Sequence, residues 1–249
     1  MSIPKLTKDD VKAHLESEKS LRKVDLSGLF LEKLDLNGVS FHGSVLHMTQ
    51  FHHCVLDEAN FEGVVVTRAC FSHCQLTGAI FTGARGAGAI FEECEMTGAK
   101  FDKAQFERAA LLRCNCREST FAAARMRHAL LDGGDFSGCD FSKCVMALVT
   151  IQNCQVQNAK FVSANLNCAY LAELDLTGSD FSQSRLVACN MARSTLQGCE
   201  FAKAMLIGTN LAGVDLKGVN LQVAYQEAIQ TEEDELPTER SAESEETPR

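Results

Sequence analysis

The chain has 249 residues, a mass of 27.2 kDa and a formal charge of −9, with 45% hydrophobic and 23% charged residues; that is enough to bury a sizeable core. No apolar run approaches the ~20 residues of a membrane span, and the N-terminus lacks a signal-peptide core, so the sequence reads as cytoplasmic with no membrane contact. Residues 231–249 alone hold eight acids against two arginines, leaving the rest of the chain nearly neutral and without strong steering of a charged ligand.

In chain order, residues 1–20 read as an N-terminal helical cap. Thr7 is placed to cap a helix over 7–19, with Asp9 and Asp10 in its first turn and Val11 and Leu15 on one face. From residue 21 to 223 one repeat governs everything. Stepping by five from Leu21 to Leu221 meets 41 positions, of which 39 are Leu, Phe, Met, Val or Ile; Gly86 and Cys116 are the exceptions. Fourteen of the 15 Phe fall in this register. Two residues before each centre the side chain is small: 14 Ala, nine Cys, five Ser and two Thr among 40 sites. Two residues after each centre stand 15 of the 17 Gly, suited to the positive φ of a type II turn.

A period of five fits neither helix nor strand. It fits a chain that turns a corner every five residues, pointing one large and one small side chain inward. Phe41, Phe61, Phe81, Phe101, Phe121, Phe141, Phe161, Phe181 and Phe201 recur every 20 residues without a gap, so four pentads close one coil and the rings stack. The expected fold is an all-β solenoid, a four-sided parallel β-helix of about ten coils and ~48 Å. Beyond it, Ala224, Tyr225, Ala228 and Ile229 lie at helical spacing, which predicts a second short cap over 224–230. Residues 231–249, acidic and free of aromatics, read as a disordered tail.

Val24-Asp25-Leu26-Ser27-Gly28 and Ala164-Asn165-Leu166 resemble the pentapeptide-repeat family, whose pattern is small residue, Asp/Asn, Leu/Phe, Ser/Thr/Arg, Gly. The resemblance implies a right-handed quadrilateral β-helix and no single biochemical function. The chain departs from the pattern at the Asp/Asn position, filled by Asp or Asn at only 13 of 40 sites.

Nine of the 12 Cys occupy the small inward site, where reduced thiols act as apolar filler. His53, His73 and Glu93 share a corner column with Glu92 near, which reads as a solvated corner, with a divalent-metal set as the alternative. No nucleotide-binding, protease or hydrolase fingerprint is present, and a loop-free rod offers no cleft to desolvate a general acid. The chain is expected to be neither an enzyme nor a cofactor carrier.

Two walls of the rod differ in charge. The wall centred on Leu36, Leu56 and Leu76 carries Asp35, Asp57, Glu58, Glu95, Glu118, Asp135, Asp175 and Asp215 against Arg117 and Lys217. The wall centred on Leu46, Val66 and Gly86 carries Arg68, Arg85, Arg108, Arg125, Arg127 and Arg185 against Asp25 and Glu107. Next to this basic wall, Cys70, Ile90, Ala110 and Leu130 replace polar residues in four successive coils, with Leu112 beside them and Arg68, Arg108 and His128 at the shared corner. An apolar ladder rimmed by Arg reads as a protein-docking surface.

The expected function is a non-catalytic protein-binding scaffold with no direct nucleic-acid contact. The opening from Thr7 through Gly28 resembles family members that accompany bacterial type VI secretion spikes, which suggests an accessory role to a spike or effector. The alternative is a DNA mimic presenting the acidic wall to a type II topoisomerase (DNA gyrase), as similar quinolone-resistance proteins do.

Overall fold

A corner every five residues requires one residue per pentad to leave the ordinary strand and helix regions. In the computed structural model, which describes residues 3–18, 20–222, 224, 225 and 229, all 40 corner positions from Lys23 to Gly218 have φ between +50° and +79°. Fifteen are glycine, and 25 are other residues held in the same left-handed conformation. At Gly28 the corner is closed by Leu29 N–H donating to Leu26 C=O at 3.1 Å, with φ +74°, the signature of a type II turn.

Successive corners wind the chain into a four-sided parallel solenoid with a 20-residue repeat. One wall's ladder runs Asp25, Val45, Val65, Arg85, Gln105, Arg125, Val145, Asn165, Arg185, Met205, Tyr225, each residue paired in parallel with the next. On the adjacent wall the pairing is continuous enough to form strands: β1 (Phe30–Glu32), β2 (Gln50–His52), β3 (Cys70–Ser72), β4 (Ile90–Glu92), β5 (Ala110–Leu112), β6 (Leu130–Asp132) and β7 (Thr150–Gln152). These make one seven-stranded parallel sheet in chain order, with Ile90 opposite Cys70 and Ala110, and Leu130 opposite Ala110 and Thr150.

The interior is filled as the register requires. Ring centroids along the Phe41–Phe201 column are 4.5–5.3 Å apart with planes within 12° of parallel; Phe61 and Phe81 stand at 4.5 Å. A second stack, Phe51–Phe71–Phe91, meets the first edge-to-face at 5.6–6.4 Å, the arrangement that the ring quadrupole favours. At the small inward site the hydroxyls and thiols are more than filler. Thirteen of the sixteen Ser, Thr and Cys there donate to the carbonyl of the residue 23 positions earlier, the centre of a pentad one coil back, as in Ser44 Oγ to Leu21 O at 2.6 Å and Cys94 Sγ to Phe71 O at 3.3 Å.

Helix α1 (Lys8–Ser17) closes the first coil with a capping box. Asp10 N–H donates to Thr7 Oγ1 at 3.2 Å, and Thr7 N–H donates to Asp10 Oδ2 at 2.8 Å. Val11 is fully buried and Leu15 partly so. Residues ahead of the helix also pair: Leu6 N–H donates to Asp25 O and Asp25 N–H to Pro4 O, a rung that the repeat pattern did not announce.

The far end departs from expectation. Of the helix expected over 224–230, only Ala224, Tyr225 and Ile229 are described. Tyr225 extends the ladder instead of entering a helical turn: its N–H donates to Ala204 O at 2.8 Å and its carbonyl accepts from Leu206 N–H at 2.9 Å. Backbone pairing to an open coil edge satisfies two groups that a helix would leave exposed there. The acidic tail, 231–249, lies outside the described residues. Among the described residues no helix is long and apolar enough to cross a membrane.

Candidate functional site

The corner between the basic wall and the sheet wall is the column Met48, Arg68, Gly88, Arg108, His128, Leu148, Cys168, set by the 20-residue repeat. Arg68, Arg108 and His128 are exposed there, as are Arg85, Arg125 and Arg127 on the basic wall. Arg125 is held by Glu107, Nε to Oε1 at 2.9 Å. Among the described residues Arg68, Arg85, Arg108 and Arg127 have no carboxylate partner, whereas the exposed Arg113, Arg117 and Arg193 each have at least one. An open groove of about 480 Å³ runs beside the first four, lined by Arg68, Ala87, Gly88, Glu107, Arg108, Arg127 and His128. It exists because Ala87-Gly88 project almost nothing between two arginines in the coils on either side.

The sheet wall supplies the apolar half of the site. Ile90 is 40% exposed, while Leu112 and Leu130 are half-buried, stacked among their coil neighbours. The same two columns carry apolar residues that the sequence reading passed over: Phe30 and Tyr170 in line with Ile90, and Met48 and Leu148 in line with Arg68. Of the seven exposed large hydrophobics among the described residues, these five share one edge, and the other two, Ile3 and Tyr225, sit at the ends. Their signal was legible by extending both columns the full length of the rod, beyond the four coils that first drew notice.

The acidic wall is arranged differently. Asp35, Asp135, Asp175 and Asp215 each accept the backbone N–H two residues on, and Glu95 accepts both the N–H and the hydroxyl of Thr97. Asp57 accepts Thr77 N–H in the next coil at 2.7 Å. Asn115 donates to Glu95, Arg117 to Asp135 and Gln157 to Asp175. Hydrogen bonds from Thr177 hold the Asp175 carboxyl below the usual range. At Asp135 partial burial pushes the other way, but hydrogen bonds from Ser137 and the Arg117 charge outweigh it. Glu58 and Glu118 stand exposed at corners with φ +56° and +58°. Asp35, Asp57, Glu95, Asp135, Asp175 and Asp215 thus fasten turns or coils to one another.

The histidine corner is occupied by an ion-pair network. His53 stacks on His73 at 4.8 Å, and His73 Nδ1 lies 3.1 Å from Glu93 Oε2. Arg113, one coil further on, reaches Glu92 at 2.6 Å and Glu93 at 3.0 Å, so both carboxylates already face a fixed cation. Among the described residues no cluster of His, Cys, Asp and Glu could hold a metal. Ten of the 12 Cys are buried and all are free thiols; burial pushes the thiols of Cys139, Cys144 and Cys189 well up, and those of Cys154 and Cys199 to about 11.

Comparison with known proteins agrees with this geometry at the level of family and fold. Family models described as pentapeptide repeat region match residues 84–161 and 149–225, and those described as pentapeptide repeats match 20–56 and 46–83. No curated protein matches the chain by sequence. The fold is similar to HetL, a pentapeptide repeat protein involved in heterocyst differentiation regulation from the cyanobacterium Nostoc sp. strain PCC 7120, with a TM-score of 0.59 and 21% identity over 90% of this chain and 94% of that one. It is also similar to QnrB1, a plasmid-mediated fluoroquinolone resistance protein, with a TM-score of 0.57 and 16% identity over 81% of this chain and 91% of that one. At these identities the likeness extends to the fold alone.

Proposed function

The chain belongs to the pentapeptide-repeat family, and from that premise we propose that it is a non-catalytic scaffold that docks an acidic protein surface along the edge between its sheet wall and its basic wall. One observation carries the reading: five of the seven exposed large hydrophobics gather on this edge, beside arginines that have no carboxylate of their own. Elsewhere the rod covers its surface mostly with small and polar side chains, and Arg113, Arg117 and Arg193 are each met by a carboxylate of the rod. An apolar strip with unpaired guanidinium groups fits a partner bringing both carboxylates and apolar side chains, since bidentate Arg–carboxylate contacts add geometric selectivity to the area buried. The coils are braced by ring stacks and hydrogen bonds, so the surface is pre-ordered and association costs little side-chain and backbone ordering.

An accessory role to a bacterial type VI secretion spike or effector is one setting for such a scaffold. The opening from Thr7 through Gly28 supports it, and genes for spike components beside this one would strengthen it.

The acidic wall gives a second reading, a DNA mimic for a type II topoisomerase. Its charges are sparse for that purpose. Glu95, Asp135, Asp175 and Asp215 alternate in their column with Asn115, Gln155 and Thr195, so neighbouring carboxylates stand about two coils, ~9–10 Å, apart. Duplex DNA carries a charge every ~1.7 Å of axis.

The test is partner capture from the native host with Leu130→Asp and Ile90→Asp. Both side chains point outward on a wall whose core they do not fill, so the rod is expected to melt unchanged while capture of the acidic partner is lost. Capture retained by both variants would remove the sheet wall from the function. Inhibition of gyrase supercoiling, relieved by charge reversal at Asp135 and Asp175, would favour the second reading.

A further inference from the structure

The groove at Ala87-Gly88 faces a charge imbalance within its own chain. Six of the described arginines lack a carboxylate partner, and three of them, Arg68, Arg108 and Arg127, line this one groove, where the carboxylate of Glu107 is already held by Arg125. Most carboxylates of the neighbouring walls already accept hydrogen bonds, as at Asp102, Asp132, Asp140 and Asp180, or face an arginine, as at Glu92, Glu93 and Glu173, so the larger store of compensating charge lies elsewhere. It stands at the end of the sequence, where residues 231–249 hold eight acids against two arginines.

The fold sets where that segment departs. Tyr225 continues the ladder to which Arg85 and Arg125 belong, five coils beyond Arg125 and seven beyond Arg85. At ~4.8 Å per coil these are distances of about 24 and 34 Å. From residue 226 to the last residue, 249, there are 24 residues, whose average span as a flexible chain is about 25–30 Å and whose limit when extended is about 80 Å. Glu239, Glu243, Glu245 and Glu246, 14 to 21 residues past Tyr225, have an extended reach of about 45–75 Å and so reach the groove, whereas Glu232 to Glu235, with at most ~35 Å, reach only its near rim. Tethering at this range gives an effective concentration near ~1 mM, enough for a weak charge-driven contact to be mostly formed.

We propose that the chain's own acidic segment, residues 231–249, seats in the groove between Arg68 and Arg108 and covers it against acidic partners. This rests on the reading of the edge as a docking surface and adds an occupant that a partner must displace. The segment is a competitor of low intrinsic affinity: it makes docking selective for partners that add apolar contacts with Ile90, Leu130 and their neighbours, which the tail, rich in Glu and free of aromatics, does not supply.

The test uses a fluorescein-labelled peptide of residues 231–249 and fluorescence anisotropy with two full-length chains, the wild type and a variant whose eight tail acids are changed to amides. The variant is expected to bind the peptide, more weakly as salt rises, and the wild type to bind it at least about tenfold more weakly, because its own tail holds the site. Arg68→Glu with Arg108→Glu in the neutralised variant should abolish binding without shifting the thermal melt; Arg127→Glu alone should weaken it. Equal affinity for the two chains, binding that survives the arginine reversals, or no binding would each overturn the proposal. So would a wild-type mass that rises with concentration while the neutralised variant stays monomeric, since the tail would then seat on a second copy. None of these arms involves the partner protein, so a null result removes the tail and leaves partner docking to its own test.

Discussion

Gly86 is the one glycine at a large-residue position, and the structure shows what occupies the vacancy. A Cβ built there would lie 2.3 Å from Phe106 Cε1, 2.6 Å from Cζ and 2.8 Å from Cδ1, all far inside ordinary contact. Phe106, one coil later in the same column, leans back into the space that a leucine would fill. The displaced ring leaves a narrow apolar void on its other side, lined by Phe101, Phe106, Leu111, Phe121, Ala124 and Met126, with no room for a water. Phe81 at 6.2 Å, Phe91 at 5.9 Å and Phe101 at 5.3 Å crowd the ring, so a shift into the narrow void would give up these contacts. Gly86→Ala should therefore cost about 1–3 kcal/mol through overpacking, despite the roughly 0.4–1 kcal/mol that alanine ordinarily contributes by restricting the unfolded chain. Phe106→Leu should cost about 2 kcal/mol, as it deletes buried ring atoms and enlarges a void already present. The double variant should cost at least about 1 kcal/mol less than the sum, since the Cβ then enters the space that the ring vacates. Guanidinium denaturation of the four proteins in the cycle measures this. Additivity within about 0.5 kcal/mol would refute the shared cavity. Phe136, one coil beyond Cys116, the other small residue in the register, finds its room differently: it leans over Gly134 of its own pentad, 2.8 Å from where a Cβ there would be.

Ser184 Oγ is buried without a hydrogen-bond partner, while Ser194 Oγ donates to Leu171 O at 2.7 Å; Ser184→Ala should be neutral or stabilising and Ser194→Ala should cost about 1 kcal/mol in a chemical melt. Native thiol titration should find Cys168 fast, since it alone is exposed, Cys70 second, and the ten buried thiols protected until unfolding; burial raises the Cys70 thiol, so its rate should climb at higher pH than that of an unhindered free thiol, and rapid labelling of Cys94 would contradict the register. Asp25 and Asp175 are held below the usual carboxylate range by hydrogen bonds from Ser27 and Thr177 respectively, so the stability they confer is complete above about pH 5 and lost as pH falls through their depressed folded-state values. Asp175→Asn should flatten that acid limb in melts between about pH 5 and 2, and an unchanged limb would remove Asp175 from it.

Much of the fold was legible because a five-residue period leaves few alternatives: Phe61 and Phe81 had to meet once four pentads closed a coil. The corners were legible only in part. Glycine marked 15 of them, yet Lys33, His53 and Ala123 adopt the same positive φ, because closure of the coil imposes the conformation whatever the side chain. That β1–β7 form on one wall alone was not legible, since strand length depends on corner geometry that composition does not encode. The hydrogen bonds from inward Cys, Ser and Thr needed the coil-to-coil register in three dimensions, and without it the thiols read as apolar filler. At the docking edge, Ile90, Leu130 and the arginines were legible from their columns. The lack of carboxylate partners for Arg68 and Arg108 was not, because Glu107 and Arg113 choose their partners across coils.

The central claim is that this edge, and not the acidic wall, meets the partner. Photo-crosslinking in the native host tests it most directly, with a benzophenone amino acid placed in turn at Leu130 and at Asp175. The account predicts a discrete adduct from position 130 with an acidic protein, lost when Arg68 and Arg108 are reversed to glutamate, and none from position 175. An adduct from position 175 alone would contradict it.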